Sequence, residues 1–147
     1  MADNETVSDE LKLIIFKLGR EEYGMDILKV QEIKRMMSIT RVPSTPSFIK
    51  GVINLRGSVL PVIDLRTRLG LFEAELTEAA RIIVVLVNEG VVGFIVDEVV
   101  EVTTINPQNV EAVQTLSNGL SAEYISGIAK ADSRLYIMLN PDAIVNI

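Results

Sequence analysis

Two apolar runs on either side of a short turn decide the fold. Residues 82–96 read IIVVLVNEGVVGFIV, which places one six-residue apolar run on each side of Asn88-Glu89-Gly90. Side chains that branch at Cβ suit a pleated strand better than a helix. A short connection that ends in glycine is typical of a reversal between two antiparallel strands. The segment therefore predicts a β-hairpin.

The same pattern occurs earlier in the chain. Residues 13–33 align without gaps on residues 82–102, and the alignment pairs Gly24 with Gly93. Further along, residues 48–52 align on residues 124–128. We infer two copies, each about 60–65 residues long and holding about five short strands. Closing each copy into a small β-barrel removes the sheet edges that would otherwise aggregate.

The predicted fold class is mainly β, with two barrels, short helical turns and a short C-terminal helix. We predict a polar N-terminal arm over 1–10, a first barrel over about 11–72, a linker over 73–80 and a second barrel over about 81–147. An exchange of strands between the two barrels stays open as an alternative. Asn140 followed by Pro141 is typical of a helix start, because asparagine caps and proline fits the first turn.

Composition excludes several kinds of chemistry. The chain has 147 residues and a net charge of −6, and it contains no histidine and no cysteine. Imidazole catalysis, thiol chemistry and zinc sites with nitrogen or sulfur ligands are therefore excluded. The acidic balance and the 5% of aromatic residues argue against nucleic-acid binding. We expect a cytoplasmic protein without a cofactor and without direct membrane insertion, since no secretory leader or long apolar run is present.

Carboxylates are the remaining candidates for catalysis or metal binding. Asp64, Asp97 and Glu101 lack the close alternate spacing and central glycine that a calcium loop needs. Asp97-Glu98 follows an apolar strand, where we expect both side chains to be solvated. Two alternatives stay open, a small enzyme that depends on carboxylates or lysine and an acidic β-barrel that binds another protein partner.

The segment 50–57 reads KGVINLRG and predicts the end of a strand followed by a turn. We expect Gly57 to take a positive φ and the Arg56 side chain to point outward. An arginine held in this way can bind a carboxylate with both arms of its guanidinium group.

The segment 27–33 reads ILKVQEI and carries more apolar residues than one face of a short element can bury. An apolar patch rimmed by Lys29 and Glu32 is typical of a protein-binding surface. Burial between the two halves explains the same residues equally well.

These residues resemble the CheW family of chemotaxis coupling proteins. The resemblance covers residues 11 to 147 and is most specific over the string IKGVINLRG at 49–57. Further matching segments are 23–33, 39–43, 61–65, 92–97 and 124–127. The resemblance implies two SH3-like five-stranded barrels that form an adaptor without catalysis. It also implies two partners, the CheW-like regulatory domain of the histidine kinase CheA and the cytoplasmic tip of methyl-accepting chemoreceptors.

The resemblance also implies which residues bind each partner. The residues expected to face the kinase are Ile14, Ile27, Val30 and Ile33. The residues expected to contact the receptor, around the groove between the barrels, are Glu32, Arg56, Ile82, Val99 and Val102. Gly51 and Gly57 are expected to shape the backbone at these sites. The free protein is expected to be a monomer that joins membrane receptor arrays through its partners.

Overall fold

A computed structural model describes residues 10–72, 74–88, 90–112 and 122–146 of the chain. The described residues are mainly β, as predicted. The strands are β1 (Leu11–Leu18), β2 (Glu21–Asp26), β3 (Val30–Arg35), β4 (Ile49–Leu55), β5 (Ser58–Asp64), β6 (Arg81–Val87), β7 (Gly90–Val96), β8 (Glu98–Ile105), β9 (Val110–Glu111), β10 (Ile125–Ala131) and β11 (Arg134–Leu139).

Two short α-helices follow the strands that end each half of the chain. They are α1 (Leu65–Arg68) and α2 (Pro141–Val145). Asp64 caps α1 and Asn140 caps α2, each by accepting hydrogen bonds from backbone N–H groups of the first turn. The predicted C-terminal helix is confirmed, with Asn140 as its cap and Pro141 in its first turn. In the part of the chain that the structure describes, no helix is long and apolar enough to cross a membrane.

The strands form two sheets, and each sheet takes strands from both halves of the sequence. Sheet A has the order β8-β1-β2-β11-β10-β9, and sheet B has the order β3-β6-β7-β5-β4. In each sheet, the third strand of one half pairs with the first strand of the other half. The two sheets therefore do not coincide with the sequence ranges 11–72 and 81–147. Residues 74–80 of the expected linker contain no strand.

The internal repeat is visible in the pairing of the strands. The hairpin β4–β5 has an irregularity between Ile49 and Gly51, and the hairpin β10–β11 has one between Ile125 and Gly127. These positions are 76 residues apart, which is the offset that aligns residues 48–52 on 124–128. β5 pairs in parallel with β7, and β11 pairs in parallel with β2. The repeated sequence thus produces the same pairing pattern in both sheets.

Three apolar clusters hold the sheets together. One cluster lies within sheet B, a second within sheet A, and the largest contains residues of both sheets. Successive side chains of a strand point to opposite faces. Leu13 and Ile15 of β1 therefore join the cluster of sheet A, whereas Ile14, Phe16 and Leu18 join the cluster shared by the two sheets. β1 is buried on both faces along most of its length.

Candidate functional site

The turn between β4 and β5 holds Arg56 on the surface. Leu55 pairs with Ser58, so Arg56 and Gly57 form a two-residue loop with φ values of 52° and 86°. Positive φ at both positions is typical of a type I′ turn, whose twist matches that of the strands. The side-chain carbonyl oxygen of Asn54 accepts a hydrogen bond from Gly57 N at 3.0 Å. Gly57 thus has the positive φ that the sequence predicts, while Arg56 has a backbone conformation that is unfavourable for a side chain with Cβ.

Arg56 binds Glu32 with both arms of its guanidinium group. Nη1 donates to Glu32 Oε1 at 3.3 Å, and Nη2 donates to Oε2. The hydrogen bonds from Arg56 lower the pKa of the Glu32 carboxyl below its usual value. Glu32 lies on β3 and Arg56 follows β4, which are the two outer strands of sheet B. The pair therefore joins the two edges of the sheet, a contact that the sequence analysis did not predict.

The apolar segment 27–33 is divided between the surface and the core. Ile27 and Val30 are partly buried and pack against the cluster shared by the two sheets. Ile33 is 41% exposed, and Leu28 is 86% exposed at the tip of the 3₁₀ turn Ile27–Lys29. Ile27 and Val30 are thus packed against the core between the two halves, whereas Leu28 and Ile33 remain exposed.

Two of the residues expected at partner surfaces are buried. Ile14 lies on β1 and Ile82 on β6, and both side chains are completely inaccessible. Each strand lies between two neighbours in its sheet and is covered on both faces. The expected surface roles of Ile14 and Ile82 are therefore corrected, because a side chain without exposed atoms cannot contact a partner in this conformation.

The remaining residues expected at the receptor surface lie in different sheets. Val99 and Val102 are on β8 of sheet A, whereas Glu32 and Arg56 belong to sheet B. Val99 is partly buried against the shared cluster, and Val102 is 53% exposed. The structure thus brings Glu32 and Arg56 together and leaves Val102 on the other sheet.

Gly51 allows the chain after β3 to cross β4 closely. The N–H and carbonyl groups of Thr40 and Val52 bond to each other at 2.9 and 2.8 Å. Gly51 has a φ of 153°, and a Cβ at this position would overlap the Thr40 carbonyl oxygen and lie 2.8 Å from its carbon. Contacts this close exclude any side chain. The requirement is steric and comes from the backbone of Thr40.

Asp97 is bound rather than solvated, which corrects the expectation from the sequence. Arg66 donates from Nε to Asp97 Oδ1 at 3.1 Å and from Nη2 to Oδ2 at 2.5 Å, and Gly19 N donates at 2.8 Å. Burial alone would raise the pKa of the Asp97 carboxyl, but the hydrogen bonds from Arg66 and Gly19 hold it below its usual value. Arg66 and Gly19 are 31 and 78 residues away from Asp97 in the sequence, so no local sequence pattern predicts these contacts.

We expect the Arg66–Asp97 contact to stabilise the fold. Arg66→Met should lower the free energy of unfolding by about 3 kcal/mol at pH 7, because it leaves a half-buried carboxylate without its cation.

The depressed pKa of Asp97 contributes stability above the unfolded pKa of about 4, and this contribution is lost as the pH falls through the lower folded pKa. Asp97→Asn should therefore lose less stability than wild type between pH 5 and pH 3.

Urea unfolding at pH 7, pH 5 and pH 3 measures the loss of stability in Arg66→Met and the pH dependence of Asp97→Asn. Lys130→Met is the matched control, because Lys130 and its partner Glu111 are both largely exposed. We expect that change to cost less than about 1 kcal/mol. Equal losses for Arg66→Met and Lys130→Met would contradict the assignment.

A groove of about 800 Å³ runs beside α2. Its lining includes apolar side chains of sheet B and its loops, such as Phe48, Ile63 and Val92, and the polar side chains of Asn140 and Asp142. Asp142 Oδ1 accepts from Asn88 N at 2.7 Å, and Asp142 Oδ2 lies 3.5 Å from Lys29 Nζ. These contacts fix α2 to sheet B and to the 3₁₀ turn. In the described ranges, no three acidic side chains are grouped in a way that could hold a metal ion.

Comparison with known proteins agrees with this architecture. Residues 12–147 match the family model of the CheW-like domain. The chemotaxis protein CheW of Klebsiella aerogenes is 38% identical over 142 residues, which is 97% of this chain and 84% of that protein. CheW of Bacillus subtilis is 37% identical over 135 residues, with coverages of 92% and 86%.

A solved structure shows the same fold. The crystal structure of a CheW scaffolding protein from Thermoanaerobacter tengcongensis matches with a TM-score of 0.87 and 36% identity, over 93% of this chain and 88% of that one. The fold and these matches define a chemotaxis scaffold built from two SH3-like subdomains, as the sequence predicted. The chain belongs to the CheW-like domain family.

Proposed function

We propose that the chain is an adaptor without catalysis that couples methyl-accepting chemoreceptors to the histidine kinase CheA. The match to a CheW scaffolding protein over 93% of the chain supports this proposal most directly. The protein acts in the cytoplasm, is a monomer when free, and reaches the receptor arrays through its partners.

The kinase binds at β3 and the 3₁₀ turn before it. Ile33 is exposed there, and Ile27 and Val30 of the same segment are partly buried. Lys29 and Glu32 flank these aliphatic side chains. An apolar centre with a charged rim is typical of protein interfaces. The CheW-like regulatory domain of CheA is the partner for this surface.

The receptor contacts the Glu32–Arg56 pair and the exposed face of β8. Arg56 projects from a tight turn with an unfavourable backbone conformation, and such strain is often found at functional positions. Val99 and Val102 add apolar surface from sheet A. A receptor that contacts both sheets binds the chain only when sheet A and sheet B are packed against each other.

The adaptor acts through binding alone. Two neighbouring surfaces on one body, which meet at Glu32, raise the effective concentration of the kinase at the receptor. The adaptor changes the activity of the kinase when it binds the signalling arrangement of receptor and kinase more tightly than their other arrangements.

A change at Arg56 should weaken the binding of the receptor but not that of the kinase. We expect Arg56→Ala to weaken receptor binding about 10- to 150-fold, the effect of losing a charge-assisted hydrogen bond of roughly 1.5–3 kcal/mol. The free energy of unfolding should change by no more than about 0.5 kcal/mol, because Arg56 is exposed. Arg56→Lys should restore binding only in part, since an ammonium group cannot bond with two arms.

Calorimetric titration with each purified partner, together with thermal melting, tests this prediction. Arg56→Asn is a useful control, because asparagine tolerates the turn conformation and lacks the guanidinium group. Affinity for CheA should remain near that of wild type. An equal loss for both partners, or a large fall in melting temperature, would contradict the assignment.

A further inference from the structure

The positive charge of this acidic chain is concentrated in one region. Residues 29–68 contain eight basic and two acidic residues, a net charge of +6, whereas the rest of the chain carries −12. Most of this region belongs to sheet B and its loops. Such a concentration attracts anionic groups of a partner.

Two of these cations flank a groove at the start of β4. The groove has a volume of about 450 Å³ and is formed by residues of the segment 39–50. Its lining includes Arg41 and Lys50, the aliphatic side chains of Ile39, Val42 and Ile49, and no carboxylate. Among the residues that the structure describes, no carboxylate lies within 4.0 Å of the charged nitrogens of Arg41 or Lys50. Arg41 and Lys50 are both exposed, so their side chains can contact a ligand.

Hydrogen bonds within the segment 39–50 support the shape of the groove. Thr45 Oγ1 donates to the Val42 carbonyl at 3.0 Å, and Ile49 N donates to the Pro46 carbonyl at 3.0 Å. Ser44 has a φ of 68°, a strained conformation for a residue with a side chain. A rigid loop of this kind loses little conformational entropy on binding. Ser44 lies in the exposed stretch 41–45, between Ile39 and Phe48, which both pack against apolar clusters of the fold.

We propose that the 39–50 groove binds an acidic-aliphatic segment of a protein partner. Carboxylates of that segment bond to Arg41 and Lys50, and an aliphatic side chain between them packs against Ile39 and Val42. Lys50 and Arg56 stand at opposite ends of β4, about 20 Å apart at the rise of an extended strand. The groove is therefore separate from the Glu32–Arg56 pair.

The chemistry of the groove favours a protein segment over other anions. A phosphate site usually has a glycine-rich loop or a helix N-terminus, and the segment 39–50 has neither in the structure. A membrane surface is usually bound by an amphipathic helix with a broad apolar face. This inference rests on the proposed function, because the segment belongs to a member of the receptor–kinase assembly.

Charge reversal in the intact chain tests the inference. The variant Arg41→Glu/Lys50→Glu should weaken binding of one partner, purified CheA or a purified receptor cytoplasmic fragment, by at least about 10-fold. The control Arg20→Glu/Lys130→Glu makes the same charge change at exposed positions of the turn after β1 and of β10. We expect less than about a threefold effect for the control. Both variants should keep the wild-type melting temperature within a few degrees.

A photoreactive amino acid at Val42 identifies the bound segment. In the complex of the chain with both partners, we expect it to crosslink to a segment rich in Asp or Glu. Affinities equal to those of the control, or a crosslink to a segment without acidic residues, would overturn the inference. Binding to vesicles that contain phosphatidylserine, lost in the double variant, would replace it with a lipid site. If the wild-type chain binds neither partner, the proposed function is wrong as well. If the double variant binds both partners normally, only the proposed role of the groove is wrong.

Discussion

Gly51→Ala is expected to destabilise the chain by about 3–5 kcal/mol, because a Cβ at this position overlaps the backbone of Thr40 and also forces an unfavourable φ. Relief would require the chain after β3 to move away from β4. That movement breaks the two hydrogen bonds between Thr40 and Val52. Urea unfolding followed by circular dichroism measures the loss.

Gly57→Ala is the matched control for this prediction. Gly57 also has a positive φ, but no other atom lies within 4 Å of the position that its Cβ would take. We expect a loss of only about 1 kcal/mol, which is the cost of the backbone conformation alone. If the two glycine variants lose the same stability, the close approach of Thr40 is not what requires Gly51.

Ile33→Asp is expected to weaken CheA binding by roughly 2–5 kcal/mol, or about 30-fold or more, because a carboxylate would be buried without a partner in an apolar interface. The fold should survive, since Ile33 is an exposed residue of β3. Val30 is a less direct test, because it also packs against the core shared by the two sheets.

The control for the kinase surface lies on the other sheet. Leu135 is an exposed aliphatic residue of β11, so Leu135→Asp makes the same chemical change away from β3. We expect normal CheA affinity for Leu135→Asp and normal melting temperatures for both variants. Wild-type affinity of Ile33→Asp would exclude β3 as the kinase surface.

Local features of this fold could be predicted from the sequence. The hairpin over 82–96, the alternation of Leu13 and Ile15 with Ile14 and Phe16, and the cap at Asn140 depend on neighbouring residues. Alternation assigns side chains to opposite faces but does not say what covers each face. The family resemblance implies surface roles for Ile14 and Ile82, and alternation could not correct this, because it does not show that β1 and β6 are covered on both faces.

Long-range pairings could not be predicted in this way. The pairing of β3 with β6 and of β8 with β1 depends on how the two halves pack, and either half could in principle close on itself. The same holds for the contacts between Asp97 and Arg66 and between Glu32 and Arg56. The sequence marks Arg56 as a surface arginine, but its carboxylate partner is 24 residues away on another strand.

In the proposed function, one chain holds receptor and kinase at the same time. Receptor cytoplasmic fragment fixed on beads, mixed with purified CheA in the presence and absence of the chain, tests it most directly. We predict that CheA is retained only when the chain is added, that Ile33→Asp stays on the beads without CheA, and that Arg56→Ala is largely lost from the beads. Retention of CheA that is equal with and without the chain, or displacement of the chain from the beads by CheA, would contradict the account.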